Sequence, residues 1–243
     1  LLAAGHVAHG FTASAPFGVR KKDPCVDFQA VHDHVHDVVA GIAPHDSVER
    51  FEGLGVTVLQ GEAKFTSRSS VGVDGKKIQA RRFVVATGSS ALVPSINGLD
   101  NTPYLTNESV FELTKAPDHL IIIGGGPIGT EMAQAYQQLG CSVTVIEAAN
   151  ILTKDDPHLV AVVRERLVKD GVTLIEGATV VGTASTDAGI AVRFERDGET
   201  VTVLGSHLLV ATGRKANIET LGLDIAGIRY TSRGIDVDAG LRT

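Results

Sequence analysis

The chain has 243 residues, 43% hydrophobic and 21% charged, a length that suits one large or two small domains. Its net charge of −6 excludes the basic field on which nucleic-acid affinity rests, and no apolar run approaches the roughly 20 residues of a membrane helix. The two cysteines, Cys25 and Cys141, form no CxxC pair, which excludes a disulfide scaffold or a zinc site and fits a cytoplasmic protein. The only methionine is Met132 and the chain opens at Leu1, so it reads as a piece of a longer product.

In chain order, "LLAAGHVAHGF" predicts a helix; without a basic segment before it, it does not read as a signal peptide. "VDFQAVHDHVHDVVAGIA" has apolar residues at near-helical spacing and is closed by Gly41 and Pro44. "SVERFEGLG" predicts a short helix capped by Ser47. Strands are expected in "VTVLQGEAKF", "SVGVDGKKIQA" and "RRFVVATGSS", with a hairpin at Asp74-Gly75. From Ser89 to Leu113 prolines, glycine and small polar residues predict a linker at a domain boundary.

A new α/β unit opens at His119 with "HLIIIGGGPIGTEMAQAYQQLGCSVTVIEAA", followed by a helix in "DPHLVAVVRERLVKDG" that Asp155 and Asp156 start. A strand "VTLIEG", three β-like runs with a second Asp-Gly turn at Asp197-Gly198, and "HLLVATGRKAN" complete it. "FVVATGSS" and "LLVATGRK" echo each other across the chain. Met132 and Tyr136 are expected in the core, and Cys141 as a buried, inert thiol.

The strongest chemical signal is Gly124-x-Gly126-x-x-Gly129, between the strand "LIIIG" and a helix. Gly124 permits a tight turn, Gly126 lets the backbone approach a pyrophosphate, and Gly129 permits close helix–strand packing. The helix N-terminus at Pro127 and Ile128 offers free N–H groups and a positive dipole end. A second strand ends in Glu147, whose carboxylate suits both hydroxyls of an adenosine ribose and repels a 2′-phosphate. Ala148 and Ala149 follow it with no arginine, so NAD is favoured over NADP. No Tyr-x-x-x-Lys pair marks a simple dehydrogenase, since Tyr104, Tyr136 and Tyr230 lack a lysine four residues on.

These segments together resemble the pyridine nucleotide-disulfide oxidoreductases, which include dihydrolipoamide dehydrogenase, glutathione reductase and mercuric-reductase-like flavoproteins. The resemblance runs through "SVERFEGLGVTVLQGEAKF", "FVVATGSSALVPSINGLDNTPYLTNESVFEL", the glycine segment and "LLVATGRKANIETLGL". It implies an α/β, Rossmann-like three-layer fold in which an NAD domain interrupts an FAD domain. Residues 1–113 would be a partial FAD domain with its linker, 114–233 the NAD domain, and 234–243 the return segment. FAD would lie against Ala86, Thr87 and Gly88 and near the Ala63 backbone. NAD would be held by Gly124 to Gly129, by Glu147, by Val180 near the adenine and by Gly213. Glu131 matches the acid that in the family pairs with a lysine beside the flavin; its plain alternative is an acid near a helix start.

Pro127 stands where glutathione reductases carry a tyrosine, Glu147 argues against the NADP preference usual in mercuric reductases, and Ala216 replaces a proline of the family's "GRxPN" run while Asn217 is kept. The resemblance further implies that a first FAD fingerprint and a Cys-x-x-x-x-Cys pair precede Leu1, and that a Gly-Asp FAD contact and a homodimerising domain follow Thr243. The expected activity is hydride transfer from NAD(P)H to FAD, then to a redox disulfide and a small oxidised substrate, with the isolated chain binding NAD(H) but not turning over. Alternatives are a two-dinucleotide flavoprotein without the disulfide, of transhydrogenase or NADH oxidase type, and a non-catalytic NAD-binding module. No metal site is expected. His32 and His36 share a helix face at a ligand-like spacing but lack an evident third ligand, so a solvated face is the expectation.

Overall fold

The computed structural model describes residues 1–14 and 25–243, which fall into two units: Leu1–Val38 with Ala91–Gly213, and Val39–Ser90 with Arg214–Thr243. The chain begins with helices α1 (Leu2–Thr12) and α2 (Phe28–Ile42), the latter closed by a 3-10 turn over Ala43–Asp46 in which Pro44 stops the α-helical ladder. Helix α3 (Val48–Gly53) starts at Ser47, whose hydroxyl accepts the Arg50 N–H at 3.2 Å. Strands β1 (Ala63–Ser67), β2 (Ser70–Val73) and β3 (Lys76–Gln79) form an antiparallel sheet in that order. The expected hairpin is present, with Asp74 at φ 45° and Gly75 at φ 80°, the two positive angles that a tight type I′ turn demands.

Two expected strands form only at their ends: "VTVLQGEAKF" contributes its last three residues to β1. Residues 56–60 lie outside regular structure, and "RRFVVATGSS" yields only β4 (Ser89–Ala91). Phe83 and Val85 pack into the core of the second unit while Val84 between them is 92% exposed, so the segment alternates as a strand would. Among the described residues 82–88 has no ladder partner, and alternation without a partner does not make a sheet.

The rest of the first unit is built around β5 (His119–Ile123), α4 (Pro127–Gln138), β6 (Ser142–Glu147), α5 (Pro157–Asp170), β7 (Thr173–Glu176), the meander β8 (Thr179–Thr186), β9 (Gly189–Arg196) and β10 (Glu199–Gly205), and β11 (His207–Val210). The main sheet is parallel in the order β11-β5-β6-β7. Numbered along the unit this is 4-1-2-3, the order of a dinucleotide-binding half. Its strands are apolar on both faces because both are covered. Leu120, Ile122, Val143, Val145 and Leu209 face one cluster with Ala133 and Tyr136 of α4 and Val160 and Leu167 of α5. Ile121, Ile123, Ile146, Leu208 and Val210 face a second cluster with Ile190, Val192 and Phe194 of the meander. Helices, parallel sheet and antiparallel sheet are the three layers.

The boundary expected between Ser89 and Leu113 falls at Ser90/Ala91, but the rest of that segment is tied into this unit and is no free linker. Leu99 is 1% and Val110 0% exposed, and isolated bridges join Asn97 to Gly182 and Leu105 to Leu209. Met132 and Tyr136 are buried as expected, and the Tyr136 hydroxyl donates to the Val110 carbonyl at 2.8 Å. Asp156 caps α5, accepting the His158 N–H at 2.8 Å, and Asp197-Gly198 turns β9 into β10 at φ 53° and 83°.

In the second unit β12 (Arg214–Ala216) pairs with β4, followed by α6 (Leu223–Ala226) and a small hairpin of β13 (Tyr230–Thr231) and β14 (Gly234–Ile235). Its core is Phe65, Ile218, Leu221 and Leu223, with the Phe65 N–H donating to the Leu221 carbonyl at 2.8 Å. Among the described residues no helix is long and apolar enough to cross a membrane.

Candidate nucleotide-binding site

The glycine turn lies at the carboxyl end of β5, where the strand order reverses between β6 and β11, the place where open α/β sheets bind ligands. Gly124 has φ 110°, and a Cβ there would meet the Ala211 carbonyl oxygen, so the turn admits only glycine. A Cβ on Gly129 would come within 2.0 Å of the Gly124 oxygen, which is the close helix–strand contact the spacing predicts. Gly126 differs. It caps α4 at φ −74°, an angle open to any residue, and a Cβ there would meet no protein atom within 4 Å. Folding does not require glycine at this position, and the space in front of the helix start is open to a ligand.

Pro127 occupies the first helical position, where its missing N–H costs nothing. The Ile128 and Gly129 amides lie in the first turn, where no intrahelical acceptor exists. The Ile128 side chain packs against the first core cluster, so this residue offers a ligand its backbone.

Glu147 ends β6 beside this turn. One carboxylate oxygen accepts the Gly125 N–H at 2.6 Å and the other the Ala149 N–H at 2.9 Å. The carboxylate is thereby fixed in direction, and each oxygen keeps a lone pair for a further donor. Gly125 was given no role from sequence; its N–H orients the acid, and a Cβ on it would strike Ile151 and Glu147. The run of three glycines was the available signal. The β7–β8 turn is stitched to the same place, Gly177 N–H to the Ala149 carbonyl at 2.9 Å and Ala178 N–H to the Glu147 carbonyl at 3.0 Å. Val180 follows directly and is half-buried against the second core cluster. Gly213, at φ 143°, ends the loop 211–213 that lies against Gly124. The structure therefore brings Gly124, Gly126, Pro127, Ile128, Gly129 and Glu147 together at the turn between β5 and α4, with the loop that ends in Gly213 against Gly124, while Val180 packs on the second core cluster. These residues fit a dinucleotide. Glu131 is exposed on α4 and makes no ion pair among the described residues.

Behind the acid, Glu176 anchors the loop after β6. It accepts the Ile151 N–H at 2.8 Å and takes a two-point contact from Arg164, both at 2.9 Å. The Arg164 guanidinium holds the Glu176 carboxyl below the usual carboxylate range.

In the second unit Ala63, Ala86 and Thr87 line one cavity of about 310 Å³. The Ala86–Gly88 turn is held by Asn217, a residue noted from sequence only as kept. Its N–H donates to the Gly88 carbonyl at 3.0 Å, its side-chain amide donates to the Thr87 carbonyl at 3.1 Å, and its side-chain oxygen accepts from the Ser90 hydroxyl at 2.8 Å. The Thr87 hydroxyl donates to the Asn217 carbonyl at 2.7 Å. The asparagine after the second "ATG" was the signal. Cys141 is buried and its thiol is pushed up to about 11 by desolvation, while Cys25 is exposed, and both are free.

The family model for the pyridine nucleotide-disulphide oxidoreductases matches residues 17–243. Mercuric reductase of Bacillus cereus is 35% identical over 246 residues, a match covering 100% of this chain and 39% of that protein. Dihydrolipoyl dehydrogenase of Geobacillus stearothermophilus is 32% identical over 251 residues, covering 100% of this chain and 53% of its own length. Among solved structures, the Cu(II) complex of the HOCl-induced flavoprotein disulfide reductase RclA from Escherichia coli superimposes with a TM-score of 0.80 at 26% identity, over 99% of this chain and 52% of RclA. The chain thus spans about two-fifths to one-half of these relatives. Fold, glycine turn and matched length lead to one assignment: the chain belongs to the pyridine nucleotide-disulphide oxidoreductase family, whose members are FAD-dependent enzymes that use NAD(P)H.

Proposed function

We propose that this chain is the nicotinamide-dinucleotide-binding part and a portion of the FAD-binding part of an oxidoreductase that passes hydride from NADH to FAD and on to a redox disulfide and a small oxidised substrate. The observation that carries the dinucleotide reading is the fixed Glu147 carboxylate beside the open face of Gly126. In this reading NAD lies on the unit that holds residues 91–213, and residues 39–90 with 214–243 contribute to the FAD domain, so the bounds expected at 114 and 233 shift to those of the two units. The bound cofactors supply the hydride chemistry. The chain's own residues bind and orient. The Ile128 and Gly129 amides and the α4 dipole receive the pyrophosphate. Glu147 accepts the ribose hydroxyls and disfavours a 2′-phosphate, Val180 flanks the adenine, and Gly213 closes the turn from β11. Ala63, Ala86, Thr87 and Gly88 border the flavin nucleotide, and Glu131 meets a cation near the flavin. The redox disulfide is not formed by Cys25 and Cys141: Cys141 is a buried, protonated thiol with no partner.

The test is NADH and NADPH titration of the 243-residue chain, with Gly126→Val and Glu147→Ala beside it. Gly126→Val should leave the chain folded, at a cost of no more than about 1 kcal/mol at the helix cap, since its Cβ meets no protein atom, yet reduce NADH affinity at least tenfold. Glu147→Ala should bring the NADH-to-NADPH affinity ratio toward one. A parent that prefers NADPH, or a Gly126→Val variant that binds NADH like the parent, overturns the reading. A flavin absorption spectrum of the full-length protein tests the FAD half separately.

A further inference from the structure

Helix α2 carries a second cluster that the dinucleotide site does not use. His32 and His36 lie one turn apart with ring centroids 4.2 Å from each other. Glu112, at the end of the 3-10 turn Ser109–Glu112, joins them, and the three residues offer one ligand atom each within 4.8 Å of one another. This is the third group that the sequence reading lacked; the face expected to be solvated is only part-exposed, the His32 side chain at 18% and the His36 side chain at 40%.

Three features point beyond a chance meeting of side chains. First, His36 Nε2 is buried and makes no hydrogen bond, although buried polar atoms nearly always have a partner. It stands 3.6 Å from Glu112 Oε2. Ligand atoms at about 2.0–2.1 Å from a tetrahedral ion are themselves about 3.4 Å apart, so this pair is already near ligand spacing. Second, His32 is oriented from behind. The Asp33 carboxylate accepts from His32 Nδ1 at 3.0 Å and is itself steadied by the Gln29 amide at 2.8 Å. A carboxylate on one ring nitrogen fixes the tautomer and leaves the other nitrogen's lone pair for a metal. Third, the Glu112 side chain is 64% exposed, so it can close onto an ion without disturbing the core, and water can fill the remaining positions.

We propose that His32, His36 and Glu112 bind a borderline divalent transition ion of the Zn(II) or Cu(II) class, with Asp33 orienting His32. Two imidazoles and one carboxylate suit such ions and leave open coordination sites. The ion would clip α2 to the turn whose Val110 carbonyl receives the Tyr136 hydroxyl. The site is independent of NAD and FAD binding.

The experiment is calorimetric titration of Zn(II) into the chelator-stripped 243-residue chain, with Cu(II) electron paramagnetic resonance to count nitrogen ligands. One equivalent per chain is expected, with two nitrogens coupled to Cu(II). His36→Ala should weaken binding at least tenfold, Asp33→Ala by about 10–100-fold, and His34→Ala, which alters a neighbouring histidine outside the cluster, should change little. Glu112→Gln, an exposed replacement that keeps the fold by circular dichroism, should also lose at least tenfold. The proposal fails if no stoichiometric binding is seen, or if His36→Ala and Glu112→Gln bind as the parent does. In that case His36 and Glu112 form only a side-chain contact between a histidine and a carboxylate.

Discussion

The chain contains the tetrapeptide Val-Ala-Thr-Gly twice, at 85–88 and at 210–213, and the two copies adopt different structures. The second copy ends β11, whose Leu208, Leu209 and Val210 pair in parallel with Ile121, Ile122 and Ile123 and are at most 2% exposed. The first follows a similar apolar run, Phe83-Val84-Val85, yet that segment joins no ladder among the described residues and leaves Val84 92% exposed. Its turn is held by Asn217 instead of by a sheet. Strand propensity is a fit to a pleated, half-buried surface, and only the second copy has that surface.

The contrast can be pressed first at the cores. Leu209→Ala removes a side chain with 0% exposure and should cost about 2–5 kcal/mol in denaturant unfolding, whereas Val84→Ala should fall within about 0.5 kcal/mol. Equal costs would mean that the 82–88 segment is buried in solution. The glycines sharpen it next. Gly129→Ala forces a Cβ to 2.0 Å from a backbone oxygen and should destabilise by about 3 kcal/mol; Gly88→Ala meets open space and should cost only the left-handed strain of about 1–2 kcal/mol at φ 67°. Asn217→Ala, which removes two side-chain hydrogen bonds from an exposed turn, should cost about 1 kcal/mol and raise amide exchange at Ser89 and Ser90 without affecting the Gly124 turn.

The smallest effects concern titration. With an aromatic disulfide reagent near pH 8, one thiol per chain, Cys25, should react quickly and Cys141 only on unfolding. The folded state holds the Cys141 thiol protonated, so its contribution to stability is intact below the ordinary value of 9.0 and is lost as pH rises toward about 11. Glu176 has the opposite sign. Its lowered pKa contributes stability above the ordinary value of 4.5 and loses it as pH falls, a dependence that Arg164→Ala should flatten.

Much of the first unit was legible because its signals are local. Glycines, an N-terminal helix cap, the Asp197-Gly198 hairpin and continuous apolar strands each state a backbone requirement within a few residues. The role of Gly125 was not legible, since it depends on a carboxylate 22 residues away, nor was the clamp by Asn217, 130 residues from Thr87. The segment 89–113 holds the expected boundary, at Ser90/Ala91, but its remainder is no linker, for the same reason. Its prolines and glycine describe irregular backbone truthfully, but irregular backbone can still bury Leu99 and Val110.

By itself the sequence determined the glycine turn between β5 and α4, the acid at the end of the second strand and the family. These rest on conformations that only glycine permits and on charge at a fixed spacing. Tertiary structure alone decided which of two identical tetrapeptides ends a sheet strand, and which carboxylate meets a pair of helical histidines. Both depend on which distant segment arrives to pair, and local spacing carries no record of that.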